Sequence, residues 1–143
     1  MIKVEHSVII DRPVPEVFAF VIDPANNVKW QDGLVESRMA SSGPMEAGAQ
    51  IIEVRKFLGR DMESKLEVIV FEPNKRFMQK VMSGPFPFEI IQTFDPSVNG
   101  TKLTVIAHGE PGGFFKLASG MVQKQLESQI KGDAERLKKV LEG

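Results

Sequence analysis

The sequence predicts an α+β domain: a curved, seven-stranded antiparallel sheet wrapped around a long C-terminal helix, with two short helices after the first strand. Three stretches of pattern carry this reading. Pro13 to Phe20 has helical spacing near the start, strand-like runs fill the chain from Gln50 to Gly109, and an amphipathic segment runs from about Gly113 to Glu142. A sheet with one apolar face must bury it, and only the last segment is long enough to do so. The expected result is a cup, with a cavity between sheet and helix.

Each element has its own signal. Ile2, Val4, His6, Val8 and Ile10 alternate with mostly polar neighbours, which is the period of a strand. Pro13 and Pro15 stop it. Val14, Val17, Phe18 and Val21 then recur at helical spacing, and Pro24 ends that helix. A second short helix is expected over Ala25 to Trp30, and a short edge strand over Leu34 to Met39. Ser41-Ser42-Gly43-Pro44 reads as a loop.

Charge pairing registers the later strands. A three-residue connection, Leu58-Gly59-Arg60, sets Arg55 opposite Glu63 and Glu53 opposite Lys65, while Ile52, Val54, Met62, Leu66 and Val68 share the other face. A two-residue connection would mix charged and apolar residues on both faces, so the longer one is expected. Turns at Glu72-Pro73-Asn74, Gly84-Pro85-Phe86-Pro87 and Pro96 to Gly100 extend the scheme. They set Val70 opposite Phe77, Val68 opposite Gln79, Lys80 opposite Glu89, Glu89 opposite His108 and Asp95 opposite Lys102. The outer face then carries a polar row, Glu67, Lys80, Glu89 and His108, and an apolar row, Ile69, Met78, Ile91 and Ile106. The inner face carries Val70, Phe77, Val81, Phe88, Ile90, Phe94, Leu103, Val105 and Ala107. In the last segment Phe115, Ala118, Val122, Leu126, Ile130, Leu137 and Val140 form one apolar stripe, interrupted by Asp133.

Composition narrows the function classes. The 143 residues make one domain, 1–143, able to bury about two-thirds of its unfolded surface. A net charge of −1 supplies no basic field, so nucleic acid is not an expected partner. No apolar run approaches ~18 residues, so no membrane span is expected. The opening MIKVEHSVII carries charges and no small-residue cleavage site, and reads as a strand rather than a signal peptide. The absence of cysteine excludes disulfides, thiol nucleophiles and thiolate metal sites, and suits a cytoplasmic protein. Two histidines far apart in sequence make a metal site unexpected. No phosphate loop or nucleophile triad points to a cofactor, and none is expected.

The run Asp11-Arg12-Pro13-Val14-Pro15-Glu16-Val17-Phe18, followed by Asp23-Pro24 and Trp30, resembles the opening of the polyketide cyclase/dehydrase and lipid-transport superfamily, also called START-like, Bet v 1-like or SRPBCC. Further runs agree in order over nearly the whole chain: Phe57-Leu58-Gly59-Arg60, Phe71-Glu72-Pro73, Ser83-Gly84-Pro85-Phe86-Pro87, Gly100-Thr101-Lys102-Leu103-Thr104 and Leu137-Lys138-Lys139-Val140-Leu141-Glu142. The resemblance implies a helix-grip fold. It selects no activity, because the matching positions are turns and packing positions. The superfamily holds carriers, hormone receptors, aromatic-ring cyclases, allergens and co-chaperone domains.

Inward parity places Lys56, Ser64, Gln79, Ser83 and Gln92 where a dry core would exclude them. Burying each unpaired costs about 1–3 kcal/mol, which a solvated or ligand-filled cavity avoids. The other reading is that Lys56 and Ser83 reach water at strand ends. The expected lining is His6, Trp30, Val54, Lys56, Ser64, Leu66, Gln79, Val81, Phe88, Ile90, Gln92, Phe115, Ala118 and Val122. Phe57, Leu58, Phe86, Phe114 and Phe115 lie in or beside three connections at one end of the sheet, as an apolar rim or as a plug. His6 is either a general acid or base, or a buried histidine with one hydrogen bond. No partner for it is visible in sequence. Asp133 reads as a structural hydrogen-bond acceptor.

The expected function is carrying or sensing a small hydrophobic ligand, such as a lipid or an aromatic, polyketide-like molecule. Two alternatives stay open. One is a cyclase/dehydrase-type enzyme in which His6 or a bound water moves protons. The other is a protein-interaction module, or a homodimer, built on the outer apolar row.

Overall fold

The computed structural model describes residues 2–56, 59–84, 88–109 and 120–143 in full, and the backbone of Phe57 and Ser119. Strand β1 (Ile2–Ile10) is followed by helices α1 (Val14–Ile22) and α2 (Pro24–Asn27). Strands β2 (Leu34–Met39), β3 (Gln50–Phe57), β4 (Arg60–Glu72), β5 (Arg76–Ser83), β6 (Phe88–Ser97) and β7 (Gly100–Gly109) come next, then helix α3 (Ser119–Glu142). The strands form one seven-stranded antiparallel sheet, as expected, in the order β1-β7-β6-β5-β4-β3-β2. α1 and α2 carry the chain from one edge strand to the other.

Proline and aspartate set the two short helices. Pro13 is the N-cap of α1 and Pro15 sits in its first turn, where the missing N–H has no intrahelical use. The Asp23 carboxylate accepts from Ala25 N at 3.0 Å and caps α2. α1 buries Val17, Phe18 and Val21. Phe18 meets Phe94 and Phe71 edge-on, with ring centroids 5.0 and 5.6 Å apart. Val8, Ile10, Phe77 and Leu103 of the sheet and Leu137 of α3 complete this core cluster.

α3 runs along β1. Its last turns are pinned: Lys138 Nζ donates to the Ile9 carbonyl, Asp11 N to Glu142 Oε2 at 2.8 Å, and Arg12 Nη2 to the Glu142 carbonyl at 3.1 Å. The Lys138 hydrogen bond, aided by Asp11 N, holds the Glu142 carboxyl below the usual range. Nearer its start, Val122, Leu126 and Ile130 pack on a second cluster of Ile2, Val4 and Phe88.

The outer polar row forms as expected, with Glu67 opposite Lys80, Lys80 opposite Glu89, and Glu89 opposite His108. Asp95 opposite Lys102 and Val68 opposite Gln79 also form. Three parts of the register differ, the smallest being a shift between Lys65 and Leu66 that sets Ser83 opposite Lys65. Phe57 pairs with Arg60, so the β3–β4 connection has two residues, and Gly59 takes a φ of +78°. The side chains of residues 50–56 therefore lie on the face opposite to the expected one. Glu53 stands opposite Ser64 and Arg55 opposite Met62, not Lys65 and Glu63.

What wins is burial of Ile51 against Leu66, both 2% exposed, while Glu53 and Arg55 satisfy each other within the strand. The third difference is a bulge at Ile69, where the pairing shifts between Val68 and Val70. Val70, not Ile69, stands opposite Met78, in line with Ile91 and Ile106 on the outer face. Phe71 turns inward instead, opposite Phe77, where the two rings meet edge-on at 6.2 Å.

Candidate functional site

The concave face is layered. At the end covered by α1, Ile10, Phe94, Leu103 and Phe77 are at most 2% exposed. The next row crosses four strands: His6 opposes Val105, Val105 opposes Gln92, and Gln92 opposes Phe77. Beyond it lies a row of Val4, Ala107, Ile90, Gln79 and Val68. Val81, opposite Leu66, and Ser64 come last. Ser64, Gln79, Val81 and Ile90 are only half-buried although they share the face on which α3 packs. Val122, Leu126 and Ile130 of α3 are half-buried as well. Packing is dense under α1 and loosens toward the end where the β3–β4 and β5–β6 connections lie.

The expected lining residues divide into three sets. His6, Trp30, Ser64, Leu66, Gln79, Val81, Phe88, Ile90, Gln92 and Val122 lie on the concave face or in the clusters packed against it. Val54 and Lys56 do not: the two-residue connection turns them to the outer face, opposite Glu63 and Asp61. Phe115 and Ala118 lie outside the described residues, as do Leu58, Phe86, Phe114 and the side chain of Phe57 from the expected rim.

Glu53 and Arg55 take the inward places. Glu53 is 7% exposed. Arg55 Nη2 donates to Glu53 Oε1 at 3.3 Å and also to Gln31 Oε1. The ambiguity of Gln50–Phe57, with isoleucines at adjacent positions 51 and 52, hid this pair.

Asp133 is structural, and its hydrogen bonds show how. Its carboxylate accepts from Asp32 N at 3.0 Å, from Gln129 Nε2 at 3.0 and 3.2 Å, and from Arg136 Nη1 at 3.0 Å. Arg136 also donates to the Trp30 carbonyl at 2.9 Å, and Gln129 to the Asp32 carbonyl at 3.0 Å. The turn after α2 is thus tied to the middle of α3, and Trp30 is carried into the core cluster, 4% exposed. Burial pushes the Asp133 carboxyl up, against the Asp32 and Gln129 hydrogen bonds and the nearby Arg55 and Arg136.

His6 has a neighbour that sequence spacing did not reveal. Its Nε2 lies 3.8 Å from Glu135 Oε1 of α3, beyond hydrogen-bond reach. His108 lies beside Glu89 on the outer face, with Nε2 3.5 Å from Oε2. Among the described residues, no three His, Cys, Asp or Glu side chains group to hold a metal ion, and no helix is long and apolar enough to cross a membrane. A separate open pocket of about 290 Å³ lies between α1, α2 and the segment before β3, lined by Ile22, Pro24, Met39 and Met45 among others. It contains none of the expected lining residues.

Comparison with known proteins agrees with this geometry. The family described as polyketide cyclase / dehydrase and lipid transport matches residues 1–142. A protein from Nitrosomonas europaea superposes with a TM-score of 0.78 at 16% identity, over 99% of this chain and 94% of that one. One from Thermus thermophilus gives 0.74 at 19% identity, over 94% and 96%. Ara h 8.0201 gives 0.70 at 10% identity, over 97% and 96%. Identities this low establish the fold alone. No curated protein matches the sequence.

Proposed function

The chain belongs to the polyketide cyclase/dehydrase and lipid-transport family, and we propose that it binds a small hydrophobic ligand on the concave face, between the sheet and α3. One observation carries this reading: Ile90, Val81, Gln79 and Ser64 remain half-buried on the face where α3 packs, while the row under α1 is closed. An apolar ligand placed there gains about 25 cal/mol for each Å² it withdraws from water. Native mass spectrometry of freshly purified protein should show a bound small molecule that denaturation releases. The ligand-free protein should bind 1-anilinonaphthalene-8-sulfonate at one saturable site that Ile90→Trp blocks. A bare native mass together with unsaturable dye binding would exclude the proposal.

The His6–Glu135 approach favours a second reading. Glu135 would orient the imidazole, and His6 would move protons in a cyclisation or dehydration of the bound molecule. His6→Gln should then lower turnover about 10²–10⁴-fold and keep affinity within about tenfold. A carrier would show no turnover to lose.

A further inference from the structure

Gln92 is 5% exposed, and its Oε1 has no hydrogen-bond partner. Its neighbours on the concave face are Ile90 and Phe94 along β6, and Phe77 and Val105 across it. None of these side chains can pair with an amide. One strand beyond Val105 stands His6, whose Nε2 is also buried without a hydrogen bond, 3.8 Å from Glu135 Oε1. Strand spacing puts the two backbones about 10 Å apart on the same face, close enough for one ligand group to span an amide and an imidazole reaching inward. Trp30 Nε1 is a third unpartnered buried atom, in a ring packed within the cluster that holds Phe77, Phe94 and Val105. Buried polar atoms are nearly always paired, so these orphans, with Asn27 Oδ1 a fourth near the α2 end, call for an explanation.

Resting on the binding reading above, we propose that the first three of these atoms receive the polar end of the ligand, and that the ligand is a neutral, hydroxyl-bearing aromatic or alicyclic molecule inserted hydroxyl first. The chemistry selects a hydroxyl. The Gln92 carbonyl needs a donor, the Trp30 indole needs an acceptor, and the imidazole takes either role. One O–H group offers one donor and two lone pairs. Turning the Gln92 amide over exchanges its acceptor for a donor and leaves the match intact. A carboxylate fits poorly. It would bring a full charge into the core, where Arg55, the inward cation of β3, is already engaged by Glu53 and Gln31.

The test uses 2-naphthol and 2-methylnaphthalene, two probes of the same ring and nearly the same size, titrated by fluorescence into ligand-free protein. A wholly apolar site prefers the methyl compound, because burying an unpaired hydroxyl is unfavourable. The wild type should instead bind 2-naphthol about tenfold more tightly, and Gln92→Leu should erase that preference while keeping 2-methylnaphthalene binding. Gln92→Met is the second variant should the leucine protein fail to fold. A wild-type preference for 2-methylnaphthalene, or a ratio unchanged in both variants, would overturn the hydroxyl assignment and leave the binding reading standing, with internal water as the partner of Gln92. Failure of both probes to bind the wild type would overturn the two together.

Discussion

Replacing Gln92 by leucine should make the ligand-free protein more stable, which is unusual for a change in the middle of a sheet. The amide oxygen is buried without a partner among Ile90, Phe94, Phe77 and Val105. An orphaned buried acceptor costs about 1–3 kcal/mol, and leucine removes that penalty while adding apolar contact. Branching at Cγ in a site shaped for glutamine returns up to about 1 kcal/mol as strain. The net expectation is a gain of about 1–2 kcal/mol, or about 3–8 °C in melting temperature for a domain of this size. The assay is urea unfolding of protein refolded after small molecules have been stripped away. Thr101→Val is the control. Thr101 is fully buried, but its Oγ1 donates to the Arg12 carbonyl at 2.8 Å. The same kind of polar-to-apolar change there should destabilise by about 1 kcal/mol. A loss of 1 kcal/mol or more in Gln92→Leu would refute the reasoning, because it would mean that the amide is satisfied in the ligand-free state.

Three further outcomes are expected. A Cβ on Gly100 would lie 2.1 Å from the Ile10 carbonyl oxygen, so Gly100→Ala should cost about 2–3 kcal/mol; Gly132→Ala, with nothing within 4 Å, should stabilise α3 by about 0.5–1 kcal/mol in the same urea assay. Burial raises the Asp133 carboxyl in the fold, so the native state binds more protons than the unfolded chain above the ordinary value of 3.8. Stability of the wild type measured against Asp133→Asn should therefore rise as pH falls from 7 toward 4, and a flat difference would count against the burial argument. Glu53 and Lys65 lie on opposite faces, so charge reversal at both should be additive within about 0.5 kcal/mol, with nearly all the loss coming from Glu53→Lys; a coupling above 1 kcal/mol in the double-mutant cycle would restore the charge-paired register.

Much of the fold was legible because it is set by local chemistry. Alternation from Ile2 to Ile10, prolines at 13, 15 and 24, and the turn residues after β4 and β6 act over a few neighbours, and those elements lie where their residues indicate. The pairs Lys80 with Glu89 and Glu89 with His108 follow from short connections that leave few alternatives. The inward placement of Gln79 and Gln92 came with them. β3 was less legible. Isoleucine at 51 and 52 fits either face, and a difference of one residue in the connection exchanged Val54 and Lys56 for Glu53 and Arg55.

The sequence alone determined the order of elements, the seven-stranded sheet and the family resemblance, because backbone period and turn preference are properties of adjacent residues. Tertiary structure alone decided which face of β3 is buried, where β4 bulges, and which polar groups meet. Leu66 selects Ile51 across the hairpin, and Phe18 and Phe77 draw Phe71 inward past the bulge. Asp133 finds Asp32 and Glu135 approaches His6 only when α3 packs on β1. These contacts are settled by the free energy of burying groups that the chain brings together from far apart, and no periodicity along a strand or helix records it.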